Sequence, residues 1–347
     1  MGFTWDEIKN QPLSWKKTLD ECQPHADQFV REHAGVENEH FLFIGCGTSY
    51  YLAQSAARAF QYATGRVSIA IAASEVFLAD SSVIPQHVPL VAFAISRSGT
   101  TSEVVLALKH LRHRYPEART IAITCHTEAE TAKLAHEAIM LPHAAEQSVV
   151  MTQSFTNMLL AIQYLAARLA QNEMLVSELD QLPTILEQIM PECERFGKSL
   201  GDNGNVNPHV FLGLGIYYGI SQEATLKLKE MTQVPCESYN PMEFRHGPIS
   251  IVTSDTTVLV LSGEAEASYV GSLLDDIRQH GGKVALISTE LVVGHSDEIT
   301  LQLPSGLTDW SRTILYMPAA HFLAYYKATR LGLNPDRPRN LTQVVVL

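Results

Sequence analysis

The stretch NEHFLFIGCGTSY, residues 38–50, contains the pattern from which the fold is predicted. An apolar run of strand length, residues 40–45, leads directly into a Gly-x-Gly turn, and helix-forming residues continue to about Tyr62. A short apolar run bounded by glycine is typical of a strand that is buried on both faces. A buried strand that turns at once into a helix indicates a parallel sheet covered by helices.

The same alternation continues on both sides of this stretch. Further strands are predicted at residues 67–73, 90–95, 120–124 and 138–141, and helices at residues 102–114 and 152–171. The first 34 residues are predicted to form amphipathic helices, with packing positions at Trp5, Ile8, Leu13, Trp15, Leu19 and Phe29.

A second copy of the plan appears later in the chain. NEHFLFIGCG (38–47) resembles NPHVFLGLGI (207–216), VPLVAFAISRSG resembles DTTVLVLSGE, and ARTIAITCHTEAE resembles GKVALISTE, at offsets of 168 (between the glycines), about 166 and about 164 residues. One supersecondary plan used twice explains this self-similarity. We therefore predict an α/β fold with two tandem subdomains, each a mainly parallel sheet flanked by helices in three αβα layers. The predicted boundaries are a helical segment at 1–34, the first subdomain at 35–185 and the second at 186–347.

The first copy differs from the second in its hydroxyl groups. Thr48 and Ser49 follow its glycines, and the run SRSGTT (96–101) follows its next strand, whereas the second copy has Ile-Tyr-Tyr and Ser-Gly-Glu-Ala there. Loops that enter helices at strand ends bind phosphate through hydroxyl and N–H groups. Serine and threonine also cap helices, and Thr100-x-x-Glu103 has the form of a capping box. Two such loops in one copy, and none in the other, favour phosphate binding. The first loop lacks the third glycine of the G-x-G-x-x-G motif, which argues against a dinucleotide site.

The segment SQEATLKLKEM (221–231) places Glu223, Lys227 and Glu230 on one narrow stripe of a helix. The stripe borders an apolar face, so it is suited to line a cleft. The other interpretation is a solvated i,i+4 ion pair, and the residues leave both open. His246 follows in EFRHGP (243–248), where Gly-Pro indicates a fixed loop. No metal-binding spacing of His or Cys occurs, so no metal is predicted.

Composition excludes several classes of protein. The net charge of −12 without a basic cluster argues against nucleic acid and anionic membrane surfaces as partners. No apolar run is long enough to span a membrane, and the N-terminus lacks the apolar region of a signal peptide. Five scattered cysteines indicate reduced thiols in the cytoplasm. Cys46 lies beside the first hydroxyl loop but has no neighbouring base, which favours a packed thiol over a nucleophile.

Taken together, six ordered motifs resemble the sugar isomerase (SIS) domain family, as found in the isomerase half of glucosamine-6-phosphate synthase and in stand-alone aminosugar-phosphate deaminases and isomerases. The motifs are GCGTSY (45–50), SRSGTTSE (96–103), EQSVVMTQSFT (146–156), EATLKLKEM (223–231), EFRHGP (243–248) and PDRPRNLT (335–342). The resemblance runs from about residue 35 to the C-terminus.

The resemblance implies a cytoplasmic, metal-independent enzyme without a cofactor, and a homodimer with shared active sites. It makes Glu230 the base that moves a proton between C1 and C2, and His246 the ring-opening group. Glu223 and Lys227 would contact the sugar and orient the base. The implied substrate-binding residues are Cys46, Gly47, Thr48, Ser49, Ser96, Arg97, Ser98, Thr101, Val149 and Gln343.

The expected function is a sugar-phosphate isomerase or an aminosugar-6-phosphate deaminase that acts on a hexose 6-phosphate. A fructosamine-6-phosphate deglycase and a non-catalytic sugar-phosphate sensor are the alternatives. Two departures bear on this expectation. Residue 2 is glycine and no glutaminase domain is expected, which argues against glutamine-driven synthesis. Gln343 stands where the synthase has a lysine, so a step that needs that amine is in doubt.

Overall fold

The structure is a computed structural model that describes residues 2–202, 204–264, 267–289 and 299–345. Its contacts divide the chain into two compact units. The first unit comprises residues 10–146 and 153–183 with the tail from residue 342. The second unit comprises the N-terminal segment to Lys9, residues 147–152 and residues 184–341. The boundaries predicted from the sequence divide the chain into consecutive segments, whereas each unit is assembled from separate stretches. Those boundaries therefore stay a prediction.

The α-helices connect and cover the strands. They are α1 (Phe3–Lys9), α2 (Gln11–His33), α3 (Thr48–Thr64), α4 (Ala73–Leu78), α5 (Asp80–Val83), α6 (Ser102–Arg114), α7 (Glu130–Leu134), α8 (Gln153–Leu169), α9 (Glu173–Gly201), α10 (Ile216–Thr232), α11 (Pro241–Phe244), α12 (Ala267–Gln279), α13 (Asp309–Arg312) and α14 (Met317–Arg330). Within the described ranges, no helix combines the length and the apolar character needed to cross a membrane.

In its described residues, the first unit contains a parallel five-stranded sheet in the order β2-β1-β3-β4-β5. The strands are β1 (His40–Gly45), β2 (Ser68–Ala72), β3 (Leu90–Ile95), β4 (Arg119–Thr124) and β5 (Glu137–Met140). Alternate residues of β1 point to opposite layers, as the period of a strand requires. Phe43 stacks on Phe93 at 4.9 Å on one face, while Leu42 and Ile44 pack with the α6 residue Leu108 on the other. Apolar contact on both faces explains the uninterrupted apolar runs.

One predicted packing position in the N-terminal helices is wrong. Leu13 is 68% exposed, whereas Trp15 and Phe29 of the same helix are buried. The buried positions of α2 recur every three or four residues and include Gln11 and Trp15. Leu13 lies two residues from each of these, which places it on the opposite side of the helix.

The second unit's described strands form a parallel sheet in the order β7-β6-β8-β9-β10. They are β6 (His209–Gly213), β7 (Cys236–Tyr239), β8 (Thr257–Leu261), β9 (Lys283–Ser288) and β10 (Ile299–Gln302). Phe41 pairs with Val91 as His209 pairs with Thr257, so both units share one register at their central strands. These pairings reproduce the offsets read from the sequence, and the predicted α/β class is confirmed.

Candidate functional site

The first hydroxyl loop lies at the carboxyl end of β1, within the first unit. Gly45 is required there because a Cβ would lie 2.4 Å from the carbonyl oxygen of Ser49. Gly47 has φ +53°, a conformation that glycine adopts without steric cost, and α3 begins at the next residue. Thr48 and Ser49 are buried in the first turn of that helix. The turn therefore presents two hydroxyl-bearing residues at a helix start.

The second hydroxyl loop, residues 96–101, follows β3, the strand paired with β1. Ser96 Oγ lies 3.0 Å from Thr101 Oγ1 and accepts the Gly99 N–H at 3.1 Å. Ser98 Oγ accepts the Thr100 N–H at 3.2 Å. Carboxyl ends of neighbouring parallel strands meet at one edge of a sheet, so both loops lie at the same edge.

The predicted capping box at this loop is wrong. The N-cap of α6 is Thr101 rather than Thr100, and its side chain makes no capping hydrogen bond. The Thr100 hydroxyl instead donates to Ser98 Oγ at 3.3 Å. The loop's own hydroxyls thus bond to one another, which holds the loop compact at the start of α6.

The Arg97 side chain is buried and directed into the first unit. Its Nη1 lies 3.4 Å from Glu146 Oε2, and its Nη2 donates to the backbone carbonyl of Gln343 at 3.0 Å. Ser154 donates both its N–H and its hydroxyl to the Glu146 carboxylate. The side-chain amide of Gln343 reaches the Glu146 carbonyl at 3.5 Å. Arg97 therefore joins the second hydroxyl loop to the tail, and Gln343 is held there through both its backbone carbonyl and its side-chain amide.

Cys46 lies between the two glycines of the first loop. Burial, and after it the charge of Glu103, raises the pKa of the thiol to about 12. A thiol with so high a pKa stays protonated near neutral pH and is a poor nucleophile. The packed-thiol interpretation of Cys46 is therefore the better one.

The stripe of charged residues on α10 is buried in the second unit. Lys227 Nζ lies 3.3 Å from Glu223 Oε1 and 2.5 Å from Glu230 Oε2. Glu223 and Lys227 have almost no exposed side-chain surface, while 19% of the Glu230 side chain is exposed. The solvated ion pair considered from the sequence is thus ruled out. Lys227 holds two carboxylates, and of these Glu230 is the one that a ligand in solution can reach.

His246 lies in the second unit on the loop after α11. Its backbone N–H donates to the Glu243 carbonyl at 3.0 Å, and Gly247 has φ +127°. His246 is exposed to solvent, whereas Lys227 is buried. The loop is fixed by its backbone, as Gly-Pro indicated, and it offers the ring to solvent.

Val149 also belongs to the second unit, where its N–H donates to the Asp336 carbonyl at 2.9 Å. Its segment rests on Glu7, a residue that the sequence reasoning missed. Glu7 Oε1 accepts the N–H groups of Gln147 at 2.6 Å and Ser148 at 3.2 Å. A buried carboxylate that bonds successive backbone N–H groups orders this loop. No local signal identifies Glu7, since its partners are more than a hundred residues away.

His321 on α14 is a second residue that the sequence did not single out. Burial, and after it the positive charge of Lys227, lowers the pKa of His321 to about 3 from the ordinary 6.5. The His321 imidazole is therefore neutral at pH 7, and it lies where the charge of Lys227 acts on it. Among the described residues, no group of three His, Cys, Asp or Glu side chains is placed to hold a metal ion.

The neutral state of His321 makes the free energy of unfolding depend on pH. Below pH 6.5 the unfolded chain binds a proton at His321, whereas the folded protein keeps this imidazole neutral. The contribution of His321 to the free energy of unfolding is therefore complete above pH 6.5 and is lost as the pH falls towards about 3. We expect His321 to add a slope of about 1.4 kcal/mol per pH unit in this window. Denaturant unfolding of His321→Gln from pH 6.5 to 4.5 should show a flatter dependence. The exposed His280→Gln variant is the control, and equal slopes in all three proteins would contradict the expectation.

The chain belongs to the SIS domain family, whose sequence profile matches residues 36–168 and 207–301. It is 26% identical over 350 residues to the glutamine–fructose-6-phosphate aminotransferase (isomerizing) of Sulfurisphaera tokodaii, covering 99% of this chain and 56% of the relative. The chain thus spans about half the length of the curated relatives that it matches.

Solved structures show the same fold over the whole chain. A glucosamine-6-phosphate deaminase from Thermotoga maritima is 29% identical with a TM-score of 0.80, and 100% of both chains is covered. The tagatose-6-phosphate ketose/aldose isomerase of Escherichia coli is 22% identical with a TM-score of 0.88, covering 99% of this chain and 96% of that one. The family and the two-subdomain architecture predicted from the sequence are confirmed.

Proposed function

We propose that this chain is a cytoplasmic, metal-independent sugar-phosphate isomerase or aminosugar-6-phosphate deaminase that acts on a hexose 6-phosphate. The observation that carries the proposal is the α10 stripe, in which Lys227 lies 2.5 Å from the partly exposed Glu230 and 3.3 Å from the buried Glu223. A carboxylate held in this way is positioned to remove a proton α to a carbonyl. The deaminase and isomerase activities named for the structural relatives belong to the same reaction class.

In the proposed reaction, the phosphate binds the hydroxyl loops through Ser49, Ser96, Ser98 and Thr101. His246 donates a proton to the ring oxygen as the pyranose opens. Glu230 then takes the C2 proton of the open-chain aldose and returns a proton to C1, which yields the ketose. With a 2-amino aldose the same transfer gives a ketose imine, which water hydrolyses to the ketose and ammonia.

Gln343 bears on the choice between these reactions. An amide has no nucleophilic amine, so no imine between the enzyme and a ketose can form at this position. This favours an isomerase or a deaminase that needs no covalent lysine. A deglycase for fructosamine 6-phosphate is the second candidate, because it also begins with proton transfer at C1 and C2.

The test is incubation in deuterated water with the 6-phosphates of glucosamine, galactosamine, glucose and fructosamine. Deuterium at C1 or C2 without ammonia identifies an isomerase, and ammonia from a 2-amino aldose identifies a deaminase. Glucose 6-phosphate released from fructosamine 6-phosphate identifies a deglycase. Binding without exchange on every substrate would contradict the enzyme and support a sugar-phosphate sensor.

We propose further that the enzyme is a homodimer with shared active sites, to which the exposed His246 is contributed by the partner subunit. Exposure of the ring on this chain leaves it available to a second copy. Light scattering at assay concentration should give twice the mass of the chain. A monomeric mass in an active preparation would contradict the proposal.

Ser98→Ala is expected to weaken binding of the sugar phosphate about tenfold, because one hydroxyl that bonds a charged group is lost. The rate of deuterium exchange at saturating substrate should change little, since the phosphate is remote from C1 and C2. Titration of the sugar phosphate by calorimetry measures the change. Ser81→Ala replaces an exposed serine of the same unit and serves as the control. Unchanged affinity in Ser98→Ala would contradict the assignment of the loop.

A further inference from the structure

The second unit retains the backbone of the first hydroxyl loop although it lacks the hydroxyls. A Cβ on Gly213 would lie 2.4 Å from the Tyr217 carbonyl oxygen, which repeats the relation of Gly45 to Ser49. Gly215 has φ +59° and precedes α10, as Gly47 precedes α3. The turn that brings a helix start to the end of the central strand is thus built identically in both units.

A side chain of the protein itself occupies the adjacent turn after β8. Asp309 Oδ1 accepts the Tyr217 hydroxyl at 3.0 Å, and Asp309 Oδ2 accepts the backbone N–H of Glu264 at 2.9 Å. The Ser262 N–H donates to the Ile287 carbonyl as the Ser96 N–H donates to that of Ile123. Ser262 therefore corresponds to Ser96, and Glu264 corresponds to Ser98 of the second hydroxyl loop.

The surroundings of the Asp309 carboxylate fit an oxyanion. A Cβ on Gly263 would lie 2.7 Å from both Asp309 Oδ2 and Tyr217 Cε2, so the carboxylate enters only because this residue is glycine. The Arg312 guanidinium is fully buried, and its Nη1 lies 3.6 Å from Asp309 Oδ1. Among the described residues, the Nε and Nη1 atoms of Arg312 donate no hydrogen bond, whereas Nη2 donates to Glu264 Oε1 at 2.8 Å and to the Leu307 carbonyl. A hydroxyl, a backbone N–H and a buried guanidinium are the groups that bind phosphate in proteins.

We propose that the second unit contains an oxyanion site for phosphate or sulfate, which the Asp309 carboxylate of the chain itself keeps closed. The correspondence with a phosphate loop rests on the function proposed above. Like charges cannot share one small site, so a bound phosphate and the carboxylate exclude each other. The chain therefore holds a sugar phosphate in its first unit alone, and the second unit is left to the chemistry of α10.

The inference is tested by removing the carboxylate and adding inorganic phosphate. Asp309→Ala is combined with Ser98→Ala, so that binding at the first unit is weakened and the new site is observed separately. At constant ionic strength, the melting temperature of this double variant should rise by about 3 °C in phosphate at roughly ten times its dissociation constant. Ser98→Ala alone should show a smaller rise. Calorimetry of the double variant, in which Arg312 is unchanged, should find one phosphate bound per chain.

Two matched variants serve as controls for Asp309→Ala. Combined with Ser98→Ala, Asp309→Asn keeps the shape and an acceptor oxygen in the site, so phosphate should not stabilise this double variant beyond Ser98→Ala alone. Asp255→Ala removes an exposed carboxylate of the same unit and, also combined with Ser98→Ala, should behave likewise. An equal response to phosphate in Asp309→Ala and Asp255→Ala would overturn the inference, because the gain would then follow net charge alone.

Should Asp309→Ala not fold in chloride, it is refolded in phosphate at the same ionic strength. Recovery in phosphate supports the inference, and failure in both salts counts against it. No sugar and no turnover enter these measurements. If phosphate rescues the variant but the protein is inactive on every sugar phosphate, the oxyanion site is supported and the proposed function is contradicted. If the protein is active but phosphate does not rescue the variant, the proposed function is supported and the oxyanion site is contradicted.

Discussion

Glu230→Gln should lower the rate of deuterium exchange at C1 and C2 about a thousandfold, because an amide cannot accept the proton that the carboxylate takes. Glutamine has the shape of glutamate and keeps an oxygen for Lys227 Nζ, so the dissociation constant for the sugar phosphate should stay within about threefold. Exchange is followed by proton NMR in deuterated water, and affinity by calorimetry.

Glu237→Gln is the control for this experiment, since it makes the same substitution at an exposed carboxylate on β7. Its exchange rate should equal that of the unaltered protein. Full exchange in Glu230→Gln would show that another group is the base. A melting curve for each variant separates loss of the base from loss of the fold.

Lys227→Met should destabilise the second unit by about 3–5 kcal/mol, the usual result of removing one member of a buried ion pair. The ammonium lies 3.3 Å from Glu223 Oε1, and both side chains are buried. Methionine fills similar volume without a charge, so the buried carboxylate loses its cation. Denaturant unfolding at pH 7 measures the loss, and we expect deuterium exchange to fall with it because Glu230 loses the group that orients it.

Lys229→Met is the matched control, because it lies two residues away on the same helix and is exposed. Its free energy of unfolding should change by less than about 0.5 kcal/mol. The double variant Glu223→Gln/Lys227→Met should recover much of the stability, since the uncompensated charge is then gone. If Lys227→Met unfolds like the unaltered protein, Lys227 is not the charge that balances Glu223.

Much of the fold could be predicted because its signals are local. Short apolar runs located β1 and β3 at their observed bounds, and the spacing of the two copies located the second sheet. Leu13 was misplaced because it is apolar yet lies on the exposed side of α2, whereas the polar Gln11 and Ser14 of the same turn are buried. The true phase of that helix is set by the residues against which it packs.

The candidate site was predictable in its residues and less so in its contacts. Helical periodicity placed Glu223, Lys227 and Glu230 together, but burial of the stripe depends on tertiary packing and decided between two open interpretations. Arg97 bonds to Glu146 and to the carbonyl of Gln343, which are 49 and 246 residues away in sequence. Such distant partners leave no local pattern. Thr100 likewise fits a capping box, yet its hydroxyl bonds to Ser98.

The hydrogen bond from Arg97 to Gln343 has a consequence for the order in which the chain can fold during synthesis. Residues 40–146 contain the described strands of the first sheet, which can pair as soon as they have left the ribosome. Residues 342–345, which belong to the same unit, follow only after the whole second sheet has been made. Arg97 and its loop therefore gain one of their partners only after the intervening residues 147–341 have been made. A nascent chain stalled before residue 343 would carry a paired first sheet whose second hydroxyl loop still lacks the bond from Arg97 to residue 343.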